Sequence, residues 1–67
     1  MAMKDPTRRA DITVGARVRV VQKQHQQTGE TTEGVVERHL TNSPQHPRGI
    51  KVRLTSGIVG RVKEVLE

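Results

Sequence analysis

Alternation of apolar and polar residues is the strongest pattern in this chain and predicts short β-strands. Residues 50–54 (IKVRL) place apolar side chains on one face and basic side chains on the other, as a half-buried strand does. Residues 16–20 (ARVRV) repeat the pattern with arginines at the polar positions. Val21 interrupts the alternation, which indicates either burial on both faces or a β-bulge.

A β-hairpin is predicted in the carboxyl-terminal part of the chain. The segment 55–57 (TSG) separates the strand at 50–54 from a second apolar stretch at 58–62 (IVGRV), and such a turn between two strands is typical of a hairpin. Gly60 inside the second arm indicates a bulge or a sharp bend. Residues 62–66 form either a last strand or a single helical turn.

The middle of the chain contains one ambiguous element and two polar loops. Residues 33–40 (EGVVERHL) fit a strand or a helix, because Val36 and Leu40 are four residues apart, but the adjacent valines favour the strand. The loop at 23–32 (KQHQQTGETT) is long enough to be functional or to be a mobile excursion. The loop at 41–49 (TNSPQHPRG) contains two prolines and is predicted to be stiff.

The amino-terminal residues 1–13 show no periodicity and are predicted to form a flexible, disordered tail. Residues 14–67 then form a single domain, since 67 residues are too few for two. Ten valines, three isoleucines and three leucines must supply nearly all of the core, and no aromatic residue is present. Because branched residues favour pleated surfaces, four to five short strands around this core predict a small all-β barrel that is closed or nearly closed.

The net charge changes the functional picture. The chain carries a formal charge of +5 and has a computed pI of about 10.8, and a basic domain of this kind is attracted to polyanions such as nucleic acid. It contains no cysteine, which excludes disulfides and thiolate zinc sites. No window approaches the ~18 apolar residues of a membrane-spanning helix, and we expect no membrane association and a cytoplasmic location.

Four short motifs between residues 22 and 62 are similar to those of a known family. They are Gln-Lys-x-x-Gln-x-Thr-Gly at 22–29, Thr-x-Gly-x-Val at 32–36, Leu-Thr-Asn-Ser-Pro-x-His-Pro-x-Gly-Ile-Lys-Val-Arg-Leu at 40–54, and Gly-x-Val-Gly-Arg-Val at 57–62. Through them the chain closely resembles the YwbE family of small bacterial proteins. That family has no assigned activity, so the resemblance implies no particular substrate.

A looser likeness links the chain to KOW and SH3-like barrels of ribosomal and transcription proteins. It rests on Gly-x-x-Val-x-Val at 15–20, Gly-x-Val at 34–36 and Gly-x-Val-Gly-x-Val at 57–62. This likeness implies a small SH3-like barrel of the KOW or Tudor type and, by fold analogy, a role facing RNA or the ribosome. The missing aromatic rings exclude proline-rich peptide recognition and methyl-lysine cages.

Basic residues are the candidate functional groups, because cations at outward strand positions and loop edges can neutralise phosphates. We predict phosphate contacts from Arg17, Arg19, Lys23, Arg48, Lys51, Arg53 and Arg61, and loop hydrogen bonds from Asn42, Ser43 and His46. Lys63 also falls at an outward position. The alternative is that outward strand positions are polar only to remain solvated, and that these residues do not converge on one face.

Nothing in the sequence predicts catalysis, a metal or another cofactor. The Gly29-to-Gly34 spacing matches a phosphate loop, but valines stand where lysine and a hydroxyl residue are required. The spacings of His25, His39 and His46 match no compact metal-ligand motif. We expect no enzyme and no small-molecule substrate, partly because so small a chain offers little room for a pocket of ~300 Å³.

The predicted function is therefore non-catalytic binding of nucleic acid, with RNA or a ribonucleoprotein favoured over DNA. Without aromatic rings for base stacking, binding would use phosphate contacts, arginine stacking and hydrogen bonds, which suit structured RNA or a duplex better than free single strands. The alternative is a protein-interaction module, in which β-edges pair with a partner strand or with a second copy of the chain.

Overall fold

The computed structural model describes residues 4–66, which form four β-strands and two short 3-10 turns. The strands, numbered in chain order, are β1 (Arg17–Val21), β2 (Thr32–His39), β3 (Lys51–Leu54) and β4 (Val59–Val65), and the 3-10 turns are Arg9–Asp11 and Lys23–His25. The ambiguous segments at 33–40 and 62–66 are thus mainly strand, and both helical alternatives are wrong.

The sheet is antiparallel and closed. β1 pairs with β2, β2 with β3 and β3 with β4, and β4 pairs back with β1. The turn at 55–57 joins β3 to β4 as predicted, with the Leu54 amide donating to the Ile58 carbonyl at 2.8 Å. This closed four-stranded barrel confirms the all-β prediction and is consistent with an SH3-like barrel.

Inward-facing branched residues form the core. Eight of them are at most 1% exposed, namely Ile12, Val18, Val20, Val36, Ile50, Val52, Leu54 and Val62. Full burial of a side chain of this size stabilises the fold by roughly 1.5–3 kcal/mol, so these few residues supply most of the apolar stabilisation. The basic residues between them face solvent, because successive side chains of a strand point to opposite sides.

Two bulges interrupt the register. Between β1 and β4, Arg19 pairs with Glu64 and the next residue, Val20, pairs with Val62, which leaves Lys63 as the extra residue. Between β2 and β3, Glu37 is the extra residue in the same way. A bulge lets two consecutive side chains face the same way, and both Lys63 and Glu64 are exposed.

Gly60 lies where two strands approach closely, and one of its two predicted roles is contradicted. It lies opposite Val52 in regular register, so the bulge interpretation of Gly60 is wrong. A Cβ atom at this position would lie 2.8 Å from the Val21 carbonyl oxygen and 3.0 Å from the Val20 Cβ atom. The absence of a side chain therefore allows β4 to approach β1 closely where the small barrel closes.

The prediction of a flexible tail over residues 1–13 is wrong for residues 5–12, which pack against the domain. Residues 1–3 lie outside the described residues, but Ile12 is fully buried in the core. The segment also pairs with the loop at 44–50: the Arg9 amide donates to the Pro44 carbonyl at 2.8 Å, and the Ile50 amide donates to the Pro6 carbonyl at 3.0 Å. The boundary is corrected because this loop has backbone groups that β-strands do not satisfy, and residues 5–12 satisfy them.

A turn at Asp5 begins this packed segment. The Asp5 carboxylate accepts hydrogen bonds from the Thr7 hydroxyl at 2.5 Å and from the Thr7 amide at 2.8 Å. These bonds, with a smaller contribution from the nearby Arg8 cation, lower the pKa of Asp5. Farther along, the His39 Nε2 atom donates to the Ile12 carbonyl, so β2 holds the other end of the segment.

Candidate functional site

Two arginines of β1 are paired with carboxylates on both neighbouring strands. Glu33 of β2 lies 3.7 Å from the Arg17 Nε atom and 3.9 Å from the Arg19 Nε atom. Glu64 of β4 lies 2.9 Å from the Arg19 Nη1 atom. The register causes this arrangement, because Arg19 stands directly opposite Glu33 on one side and Glu64 on the other.

Arg53 of β3 is paired in the same way. Its Nε atom lies 3.1 Å from a carboxylate oxygen of Glu37, the bulged residue of β2. These contacts are about half exposed and each contributes at most ~1 kcal/mol, but they locally neutralise the cations. We call Arg17, Arg19 and Arg53 the acid-paired arginines.

Five other cations surround two neighbouring concavities. One, of about 390 Å³, is lined by Val21, Gln26, Gly29, Arg48, Arg61 and Lys63. The second, of about 450 Å³, is lined by Lys23, Gln24, Gln26, Lys51, Val59 and Arg61. The two share Gln26 and Arg61 and therefore adjoin. We call Lys23, Arg48, Lys51, Arg61 and Lys63 the basic cluster.

The basic cluster lacks the carboxylates that neutralise the acid-paired arginines. Among residues 4–66, no carboxylate oxygen lies within 4 Å of a cation of the cluster. Lys51 and Arg61 are moreover cross-strand partners in the β3–β4 ladder. Like charges placed directly opposite each other destabilise a sheet, so a bound anion would relieve a repulsion that the protein leaves uncompensated.

The Arg61 guanidinium is held by the loop that precedes β3. Its Nη1 atom donates to the Gly49 carbonyl at 3.1 Å. Gly49 has a φ of 102°, and a Cβ atom there would lie 2.2 Å from the Val62 carbonyl oxygen. Only glycine permits both this backbone conformation and this close approach to β4, so Gly49 brings the Arg48 loop against the strand that carries Arg61.

His46 supports the neighbouring Arg48. Its Nδ1 atom accepts a hydrogen bond from the Arg48 amide at 3.1 Å, and its own amide donates to the Thr7 carbonyl at 2.8 Å. In the neutral imidazole the proton then lies on Nε2, which makes that atom a donor. The packed amino-terminal segment thus holds the loop that presents Arg48.

The structure divides the predicted site residues into three groups. Four of the seven predicted phosphate contacts belong to the basic cluster: Lys23, Arg48, Lys51 and Arg61. The other three are the acid-paired arginines, and none of them lines either concavity. Asn42 and Ser43 are exposed in the loop after β2 but line neither concavity, and His46 acts within the loop itself.

Sequence reasoning missed two members of this surface. Lys63 faces outward but is not among the predicted phosphate contacts, and it shares a face of β4 with Arg61 because the two are two residues apart. Gln26 lines both concavities. The sequence feature that indicates Gln26 is the unusual length of the polar loop at 23–32, but loop length alone does not identify which residue contacts a ligand.

The structure also bears on the expected pocket volume and on the rejected phosphate-loop spacing. The expectation that the chain has little room for a concavity of ~300 Å³ is wrong, because residues of the 22–31 loop and of β4 line two open concavities of about 390 and 450 Å³. His25 lies 3.7 Å from the Glu30 carboxylate. Of the two glycines of the rejected phosphate-loop spacing, Gly29 precedes Glu30 in the loop and Gly34 lies within β2. Within residues 4–66 the structure contains no helix long and apolar enough to cross a membrane.

The fold and the basic cluster together define a class of protein: a small closed antiparallel barrel with a basic surface whose five cations have no carboxylate within 4 Å among residues 4–66. Residues 5–65 match a family model described as "Uncharacterized conserved protein (DUF2196)". The chain is also 45% identical over 58 residues to "Uncharacterized protein YwbE" of Bacillus subtilis (strain 168), covering 87% of this chain and 89% of the relative. The chain belongs to this family, as the resemblance implied. No solved structure matches it.

Proposed function

We propose that this protein binds nucleic acid without catalysis, through the basic cluster, and that RNA is its preferred ligand. The observation that carries the proposal is the set of five cations that border two adjoining concavities without a carboxylate within 4 Å among residues 4–66. Phosphates are the anions that such a cluster of lysine and arginine neutralises best, with release of counterions.

RNA is favoured for two reasons. A concave surface suits an irregular chain with unpaired segments better than it suits the convex backbone of a regular duplex, and sequence-specific RNA recognition uses unpaired segments. The looser likeness to KOW barrels points the same way by fold analogy. The alternative is β-edge pairing with a partner strand, for which the closed sheet offers fewer free edges than an open sheet because each strand pairs with two neighbours.

The test compares two double variants of equal net charge. K51Q/K63Q removes two cations of the basic cluster, and R17Q/R53Q removes two acid-paired arginines. Binding of a labelled RNA hairpin is followed by fluorescence anisotropy between about 50 and 200 mM salt. K51Q/K63Q should lower the slope of log K against log salt by ~1.4, at about 0.7 per lost contact to single-stranded phosphates, whereas R17Q/R53Q should change the slope little.

Two results would contradict the proposal. Equal effects of the two variants would mean that net charge alone attracts RNA and that the cluster has no special role. Failure of the unmodified protein to bind any hairpin at low salt would remove nucleic acid as the ligand. A matched duplex DNA, titrated under the same conditions, decides the preference for RNA, and circular dichroism confirms that each variant is folded.

A further inference from the structure

The lining of the larger concavity combines three kinds of chemistry. Lys23, Lys51 and Arg61 contribute positive charge, and Gln24 and Gln26 contribute carboxamides. Val59 contributes apolar surface and is 37% exposed, one of two large hydrophobic residues that are exposed among residues 4–66. A phosphate alone needs only the cations. The additional amides and the exposed valine fit a ligand that also carries a flat, partly apolar group with hydrogen-bonding edges.

The two glutamines of this concavity are in different states. The Gln24 side-chain amide donates to the Oε1 atom of the Gln22 side chain at 3.0 Å. The Nε2 atom of Gln22 in turn donates to the Thr32 hydroxyl at 3.1 Å. Gln24 is therefore tied to β2. The Gln26 carboxamide makes no side-chain hydrogen bond within residues 4–66 and retains both its donor and its acceptor for a ligand.

Arg61 supplies a planar group in a chain without aromatic rings. Its guanidinium is fixed by the Gly49 carbonyl through one nitrogen and keeps its other donors. Unstacked RNA bases lie on aromatic rings or on arginine planes. An arginine that the fold already holds in place loses less side-chain entropy when a base stacks on it.

We infer that the larger concavity is a subsite for one unpaired nucleotide of an RNA loop or bulge, in which Gln26 binds the edge of the base. This inference rests on the proposed function and names its ligand more closely. Lys51 and Lys23 neutralise the flanking phosphates, the base lies between Val59 and the Arg61 guanidinium, and Gln26 determines which base is accepted. Adenine is the expected base, because a carboxamide pairs with its N6 and N7 atoms.

The experiment uses four RNA hairpins with the same stem and a loop that differs only in one unpaired base. Affinities are measured by anisotropy at constant salt for the unmodified protein, for Gln26→Ala and for Gln27→Ala. Gln27 is the matched control because it is exposed in the same loop and lines neither concavity. We expect the unmodified protein to prefer adenine by about tenfold, the effect of one good amide–base contact.

Gln26→Ala should reduce that preference to less than about twofold while leaving the salt dependence unchanged, since no phosphate contact is removed. Gln27→Ala should retain the preference. Equal binding of all four hairpins, or of a stem without unpaired bases, would overturn the subsite and leave the proposed function intact. Equal loss of preference in both variants would also overturn it. Absence of RNA binding at low salt would overturn the proposed function itself.

Discussion

The acid-paired arginines and the basic cluster lie on the same small barrel, but carboxylates lie beside the first group and not beside the second. Arg19 has a carboxylate directly opposite it on each side, whereas Arg61 has Lys51 on one side and Val21 on the other. Three carboxylates on β2 and β4 neutralise three arginines. The difference shows that outward cations on a strand have different electrostatic surroundings. Carboxylates within reach, opposite Arg19 and beside Arg17 and Arg53, distinguish the acid-paired arginines from the candidate ligand contacts.

The five cations of the cluster equal the formal net charge of +5. The remaining basic residues of the chain are matched in number by its acidic residues. Equality in number is not pairing, because Lys4, Arg8, Arg9 and Arg38 also take part in no ion pair within residues 4–66. The basic cluster differs from these four in that its five cations border two adjoining concavities.

The largest expected change in the free energy of unfolding comes from substituting Gly49, which holds the Arg48 loop against β4. Gly49→Ala combines a φ of 102° with a Cβ atom 2.2 Å from the Val62 carbonyl oxygen, and we expect it to destabilise the domain by about 3 kcal/mol. Gly15→Ala is the control, because Gly15 has a φ of 94° but no atom lies within 4 Å of its added Cβ. It should cost about 1 kcal/mol, the strain of the backbone alone.

Urea denaturation of both variants gives the two free energies of unfolding. Similar losses at Gly49 and Gly15 would show that the loop can move away from β4 at little cost. The loop that carries Arg48 would then be adaptable, and the arrangement of the cluster would not depend on Gly49.

Two single variants, one from each group of cations, are expected to change the stability of the protein in opposite directions. Lys51→Gln removes a cation opposite Arg61 and should stabilise the protein without ligand by about 0.3 kcal/mol. Arg19→Gln removes contacts to Glu33 and Glu64 and should destabilise it by about 0.5–1 kcal/mol. Differential scanning calorimetry at low salt measures both. If both variants destabilise the protein, the cluster carries no uncompensated repulsion, and the argument from missing carboxylates fails.

Much of the fold could be predicted because its signals are local. Period-two alternation identified β1 and β3, the segment at 55–57 identified the hairpin, and branched residues indicated an all-β core. Ile12 is in phase with the alternation that continues through Val14 and Ala16 into β1, but the predicted domain begins after it, at residue 14, so this core residue falls in the predicted tail. Its burial depends on backbone hydrogen bonds to a loop more than 30 residues later in the sequence.

The site was predictable only in part, for a related reason. The sequence identifies cations that face outward, but register determines which of them meet a carboxylate. Two bulges, at Glu37 and Lys63, set that register, and each adds one residue that no local pattern indicates. Arg53 was therefore grouped with Lys51, although the structure places one beside Glu37 and the other opposite Arg61.

The last prediction concerns the Asp5 turn, which supports the fold from outside the basic cluster. Because the Thr7 hydrogen bonds lower the pKa of Asp5 in the folded protein, the stabilisation from this carboxylate is complete above its ordinary pKa near 3.9. It disappears as the pH falls through the lower pKa of the folded state. Asp5→Ala should therefore be less stable than the unmodified protein at pH 7, and the two should converge in acid.

Asp5→Asn distinguishes the two roles of this side chain, since its amide oxygen can still accept the Thr7 hydrogen bonds without a charge. Thermal unfolding followed by circular dichroism between about pH 2 and pH 7 gives the three profiles. We expect Asp5→Asn to retain part of the stability at pH 7 and to lack the acid-dependent step. If Asp5→Ala lost stability at acid pH as steeply as the unmodified protein, the pH dependence would belong to another carboxylate. Because the Thr7 carbonyl holds the loop that presents Arg48, Asp5→Ala should bind RNA more weakly at pH 7 than Asp5→Asn, which has the same net charge. Equal affinities of the two variants would show that the Asp5 turn does not position Arg48.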